Sequence, residues 1–222
     1  MEIIKDKSAA IIPEGEYDVA ASAVLRRGQV VVLTNGKAAA AGASQSGAIL
    51  GVCLENHTGE ASLLDPRADG TRVRVADGPA TIYACPAPVV TATGGSTTTV
   101  VDTALAAFAD DAFNTGKLKL VSHAASSTNG GAPGTVYGIS DYAGSSKTFT
   151  LDQTLSGAVT AGDRYEVYPP IGASLGALDV DGEKLTLNTA ASDFVLKVVG
   201  HDVARGRIYL MAKLHVYAGS AE

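Results

Sequence analysis

Val24-Leu25-Arg26-Arg27-Gly28-Gln29-Val30-Val31-Val32-Leu33-Thr34-Asn35-Gly36-Lys37 is the stretch that decides the fold. It reads as a short strand ending at Asn35-Gly36, and an Asn-Gly pair tolerates the positive φ angles that a two-residue hairpin turn needs. Two later segments answer it: Gly47-Ala48-Ile49-Leu50-Gly51-Val52-Cys53-Leu54 and Gly70-Thr71-Arg72-Val73-Arg74-Val75-Ala76-Asp77-Gly78. Each is a strand-length run punctuated by glycine. In the last, Arg72 and Arg74 alternate with Val73 and Val75, so one face of that strand is polar and the other apolar. Strand signals recur roughly every ten to fifteen residues from Tyr17 to Cys85, the spacing of a barrel or sandwich rather than of βαβ units. The expected fold class is all-β, a small antiparallel β-barrel or sandwich with no reactive group placed on it.

Composition narrows the function classes. A chain of 222 residues can bury a core without metals or disulfides. Its 17 basic and 23 acidic residues give a formal net charge of -6. That argues against a nucleic-acid partner, which needs clustered cations to displace phosphate counterions. Only 18% of residues are charged and tryptophan is absent. Such a weakly solvated surface suits a protein packed against neighbours, or a plain monomer rich in small side chains. Met1 to Lys7 lacks a cationic start followed by an apolar run, and no stretch reads as a membrane span, so neither a signal peptide nor a membrane partner is expected. Cys53 and Cys85 have no metal-ligand spacing; they read as buried small hydrophobes, with a bridge between paired strands as the alternative.

Composition also suggests three parts. Residues 1–13 carry the pairs Ile3-Ile4 and Ile11-Ile12 around a polar run and end at the turn signal Pro13-Glu14-Gly15. An apolar pair near a chain end is a liability in a monomer, so these four isoleucines are expected on an extended arm lying on a neighbouring subunit. An ordinary first strand is the alternative. Residues 14–86 plus 171–222 form the expected barrel domain. Between them, Pro86-Ala87-Pro88 and Pro169-Pro170 cannot continue an interior ladder and so bracket an inserted β-rich lobe over 87–170. Within the lobe, Thr103 to Phe113 is expected to be one short helix, capped by Asp102 or Thr103 and stopped at Asn114 to Gly116. In the final strand, Arg207 to Tyr217, the side chains of Ile208, Leu210, Ala212, Leu214 and Val216 share one face.

The glycine and valine pattern of Gly28, Val30, Val31 and Val32, then Gly47, Gly51 and Val52, then Gly70, Val73, Val75 and Gly78 resembles that of the head decoration, or capsid cement, proteins of tailed bacteriophages. The resemblance spans about residues 14 to 86 and the last forty or so, on pattern alone. It implies a small non-enzymatic β-barrel on the outside of a phage head, commonly a homotrimer, whose partner is the major capsid protein and whose place is the exterior of the virion. The inserted lobe departs from a minimal protein of that kind.

Several motifs compete with this reading. Gly172-Ala173-Ser174-Leu175-Gly176 has the form of a nucleophile elbow, with Asp193 or Asp202 and His201 or His215 in the right chain order. An elbow needs a strand before it and a helix after it, and Pro169-Pro170 and the turn-like Ala177 to Gly182 supply neither, so no catalytic residue is expected. Asp179 to Glu183 and Asp110-Asp111 fall short of a calcium loop, and no metal or cofactor is expected. His57 and His123 are scattered, and Asn56-His57-Thr58 is a sequon without a secretory signal. The tyrosines Tyr83, Tyr137, Tyr142, Tyr165, Tyr168, Tyr209 and Tyr217 stand near strand ends, where they would fill a rim or a subunit contact, or else form a sugar-binding platform. A carbohydrate- or receptor-binding module of a tail or fibre is therefore the alternative function.

Overall fold

The computed structural model describes residues 2–6, 14–19, 23–41, 48–57, 72–106, 108–129, 131–174, 177–178, 185–186, 196–213 and 216. The described residues are all-β, with antiparallel sheets and no helix. The strands are β1 (Glu2–Asp6), β2 (Glu14–Asp18), β3 (Val30–Thr34), β4 (Lys37–Ala40), β5 (Ile49–Cys53), β6 (Arg72–Ala76), β7 (Thr81–Pro86), β8 (Val89–Thr91) and β9 (Gly94–Gly95). They continue with β10 (Thr99–Val101), β11 (Lys117–Ser122), β12 (Val136–Ala143), β13 (Thr148–Leu151), β14 (Arg164–Tyr168), β15 (Ala177–Leu178), β16 (Leu185–Thr186), β17 (Leu196–Asp202) and β18 (Arg207–Ala212).

Five strands in the order β2-β6-β5-β3-β4 curl into a half-barrel, and a parallel bridge from Val19 to Ala38 ties its two edges together. The hairpin β3–β4 turns on Asn35 and Gly36, with φ of 52° and 77°, so Thr34 faces Lys37 as the Asn-Gly signal predicts. Along β3, Val31 and Leu33 serve the core inside the half-barrel with Leu25, Leu50, Cys53, Val73 and Val75. Val30 and Val32 point the other way, into a second core shared with Tyr83 and Cys85 of β7, Leu196 and Val198 of β17 and Ile208, Leu210 and Ala212 of β18. Those strands form the facing sheet, β1-β7-β18-β17. At β3 and β5 the half-barrel wall is thus buried on both faces, which is why those two strands are apolar without alternation, whereas β2 and β6 alternate.

That double burial requires β5 to change phase. Val31 pairs with Gly51 and Val32 with Ile49, which leaves Leu50 as an extra residue, a β-bulge. The bulge lets Ile49 and Val52 face the outer core while Leu50 and Cys53 face the inner one. At Gly51 a Cβ would sit 1.9 Å from the Ala76 carbonyl oxygen, so the neighbouring backbone leaves room for nothing larger than glycine.

Residues 2–6 correct one expectation. Rather than projecting as an arm, they form the edge strand of the facing sheet, with Ile3 opposite Tyr83 and a register shift between Ile3 and Lys5. Ile3 and Ile4 therefore belong to a strand of this chain's own sheet; Ile11 and Ile12 lie outside the described residues. The apolar pair found an internal partner because β7 offered a free edge, and joining it satisfies backbone groups that an arm would leave to a neighbour.

The lobe is a second closed unit. Its sheet runs β8-β14-β11-β12-β13-β10-β9. The segment from Val89 to Gly95 is shared between the two ends: β8 pairs with β14, β9 pairs with β10, and Ala92 and Thr93 bridge between them through Ala92 N to Asp163 O and Thr93 N to Val101 O. The sheet thus returns on itself around Leu118, Leu120, Tyr137, Ile139, Tyr142, Phe149, Tyr165 and Val167.

The expected helix over Thr103 to Phe113 is absent among the described residues, which leave out residue 107. Asp102 does cap a turn, its Oδ1 accepting from Ala104 N at 2.9 Å, but the turn goes no further. Asp111 and Thr115 take positive φ (65° and 67°), and their N–H groups donate to Tyr142 O and Ile139 O on β12 instead of to a preceding turn. Phe113 packs edge-on against Phe108, Tyr142 and Phe149, at centroid distances of 5.0, 4.8 and 5.2 Å. Tertiary partners for both backbone and rings outweigh the modest helix propensity of an alanine-rich run.

Replacing Gly51 by Ala is expected to lower stability by about 1–3 kcal/mol, because the Ala76 backbone must move. Urea denaturation followed by tyrosine fluorescence measures this, with Gly94→Ala, where a Cβ meets nothing within 4 Å, as the near-neutral control.

Candidate docking surface and the polar groups behind it

Of the residues singled out for chemistry, His201, Asp202 and Asp110 make contacts that hold the backbone, and Asp111 holds a neighbouring side chain. Ser174 follows a turn at Gly172 (φ 95°), and this segment pairs with β17 through Gly172 N to Val198 O and Val198 N to Ala173 O. His201 Nε2 lies 2.7 Å from the Pro169 carbonyl oxygen, and Asp202 accepts from the backbone N and the guanidinium of Arg205, each at 3.1 Å. Burial holds the His201 imidazole below its usual pKa, Lys117 adds to this, and the Pro169 contact opposes it. Leu175, Gly176, Asp193 and His215 lie outside the described residues, as do Asp179 to Glu183. Asp110 Oδ1 accepts from Gly144 N at 2.7 Å, and Asp111 Oδ1 accepts from Asn114 Nδ2 at 2.8 Å. Among the described residues no three His, Cys, Asp or Glu side chains are grouped to hold a metal, and no helix is long and apolar enough to cross a membrane. Asn56 Oδ1 accepts from Arg27 N at 2.9 Å, and the His57 backbone pairs with that of Leu25.

The centre of the lobe's polar architecture is Asp163, a residue that the sequence marks only as the end of an Ala-Gly-Asp turn. Its carboxylate is fully buried. Oδ1 accepts from Ala124 N at 2.8 Å; Oδ2 accepts from Ser127 Oγ at 3.0 Å, Thr160 N at 3.1 Å and Asn129 Nδ2 at 3.4 Å. Burial pushes the carboxyl pKa up, but the backbone donors Ala124 and Thr160 together with Ser127 and Asn129 outweigh it and hold it below the ordinary value. Asn129 Nδ2 also lies 2.7 Å from the Tyr165 hydroxyl, and His123 Nε2 lies 2.7 Å from Gly131 O. One carboxylate therefore fixes the loop after β11 to the loop before β14.

The tyrosines correct a second expectation. Tyr83, Tyr137, Tyr142, Tyr165 and Tyr168 are all buried, so they form neither an exposed rim nor a sugar platform. With no tryptophan and four phenylalanines in the chain, tyrosine supplies the large core side chains. Burial raises the pKa of Tyr165, and Asp163 adds to it; burial likewise raises that of Tyr168, with Glu166 adding. Tyr209 is half-buried and Tyr217 lies outside the described residues. Cys53 and Cys85 are both free and buried, in the inner and outer cores respectively, and burial pushes the Cys53 thiol pKa up.

On β2 and β6, Arg72 pairs with Asp18 at 3.1 Å and Glu16 at 3.9 Å, Arg74 pairs with Glu14, and Tyr17 donates to Asp77. Exposed ion pairs of this kind contribute little to stability. They do keep one wall of the half-barrel polar. Among the described residues the exposed large apolar side chains are Val24, Val89, Val121, Ile171 and Val216, on separate elements, so Val216 departs from the core face expected of it. The remaining feature open to a partner is the outer edge of β1, which pairs with no further strand among the described residues.

Asp163 makes a pH prediction. Its folded pKa lies below the unfolded value of 3.8, so its stabilisation is complete above that value and drains away as pH falls through the folded one. Asp163→Asn is expected to cost roughly 3 kcal/mol at neutral pH, since buried donors lose a charged acceptor. Its stability should fall less steeply than wild type below about pH 4; denaturation curves from pH 2 to 7 measure both effects.

Comparison with protein-family models, curated proteins and solved structures returns no match.

Proposed function

We propose that this chain is a structural virion protein, a head decoration protein that sits on the exterior of a tailed-phage capsid and cements adjacent capsomers. The observation that carries this reading is that, among the described residues, several that bear the sequence resemblance shape the half-barrel. Gly28 takes a φ of 88° and donates to Cys53 O just before β3, Gly51 makes the bulge of β5, and Val73 and Val75 fill the inner core. The low charge and the commitment of polar side chains to internal ties add support, as they suit a protein whose work is contact.

Under this reading the partner is the major capsid protein, and three copies of the chain assemble around a capsid axis. Each contact gains about 25 cal/mol per Å² of apolar area buried, less the cost of association. Many modest contacts on one shell act together, so a small gain per copy hardens the whole. The edge of β1 is where a capsid strand would add its backbone hydrogen bonds.

The test is sedimentation of the purified protein, alone and with empty phage heads lacking it. A free trimer that co-sediments to saturation and raises the head's melting temperature is the expected result. A monomer that leaves the heads unaltered overturns the proposal. Removing residues 1–12 takes away β1 and should abolish head binding; hydrogen exchange at β17 and β18 checks that the rest of the sheet survives the deletion.

A further inference from the structure

The lobe is joined to the rest of the chain by two crossings, Pro86-Ala87-Pro88 on entry and Tyr168-Pro169-Pro170 on exit. Proline carries no N–H, so these crossings have few backbone bonds with which to fix the lobe's direction. A third element does this: the tip of the β17–β18 hairpin, residues 203–206, which reaches from the facing sheet to the outer face of the lobe.

The contacts at this tip are specific. Lys119 of β11 donates from Nζ to Val203 O at 3.0 Å and pairs with Glu166 of β14 at 3.2 Å. Both side chains are only 19% exposed, so the pair is largely desolvated. Tyr168 donates its hydroxyl to Glu166 Oε2 at 2.5 Å and lies 3.4 Å from Val203 O, while its ring is buried in the core beneath the half-barrel. Gly206 takes a φ of 66° and donates nothing to the lobe; its carbonyl accepts from Ala87 N at 2.9 Å, on the entry crossing itself. A Cβ at Gly206 would lie 2.7 Å from Glu166 Oε1, so the tip is seated directly on the carboxylate. On the exit crossing, His201 contacts Pro169 O, and its ring meets that of Tyr168 edge-on at 5.6 Å.

We propose that the 203–206 tip is a latch that holds the lobe in one orientation on the body, with the Lys119 ammonium as its bolt, and that releasing it lets the lobe swing about the two proline-flanked crossings while both units stay folded. The chemistry suits a latch better than a weld. A desolvated ion pair roughly cancels its own desolvation cost, so it adds direction and specificity more than net stability. The lobe closes its own sheet and core without the tip, and of the crossings only Ala87 and Tyr168 reach into the body's outer core.

The test uses the full chain. Lys119→Met keeps the aliphatic stem and removes the ammonium; Gly206→Ala keeps the ammonium but strains the positive-φ turn and crowds the Glu166 carboxylate from the side of the tip. In both, amide exchange at Ala87, whose N–H reports tip seating directly, is expected to speed up at least tenfold. Solution scattering should show a broadened distance distribution, while the amides of Leu118, Leu120, Val30 and Val32 keep their protection. Unchanged exchange at Ala87 in both variants, or protection lost throughout the lobe in both, overturns the proposal.

Discussion

Gly51 lies closer to the Ala76 carbonyl than any side-chain-bearing residue would allow, and the body of the protein depends on that approach. The bulge beside it reverses the phase of β5, and only with the phase reversed do Leu50 and Cys53 enter one core while Ile49 and Val52 enter another. The valines of β3 do not set this register themselves. Val30, Val31 and Val32 are apolar toward both sides, so a slip by one residue would still bury apolar side chains. Register is imposed from outside the strand, by the Asn35-Gly36 turn at one end and the Gly51 bulge on the partner. Backbone geometry at a few glycines, more than side-chain chemistry, lets one sheet serve two cores.

The lobe solves a similar problem by other means. Its core is aromatic where that of the body is aliphatic, and it is closed by sharing one segment between both ends of the sheet. The loop after β11 is held by a carboxylate instead of a turn motif. Asp163 collects donors from two loops far apart in the chain, and it gains from burial only because those donors are all present. Neutral, close-packed rings and one fully satisfied charge are two routes to a rigid small barrel, and the lobe uses both.

The legible parts of the sequence were those governed by local rules. The Asn35-Gly36 hairpin follows from backbone preference, and the Arg72 to Val75 alternation from the period of a strand half in contact with water. The core face of Ile208, Leu210 and Ala212 follows from the same period. The misreadings came where distant partners decide. Thr103 to Phe113 has helical composition, but β12 accepts from the Asp111 N–H and, just beyond the segment, from that of Thr115. Residues 2–6 look like a projecting arm until β7 supplies an edge for their backbone. The tyrosines look like rim residues because each carries a hydroxyl, yet Tyr165 and Tyr168 bring theirs to Asn129 and Glu166 and bury the ring. Asp163 gave almost no local signal, since its donors lie as far as 39 positions away.

The pairing of Val89 with Glu166 places the start and end of the lobe side by side, each a few residues from a proline. A segment whose ends meet in this way can be gained, lost or exchanged in a gene without altering the distance that the remaining chain must span.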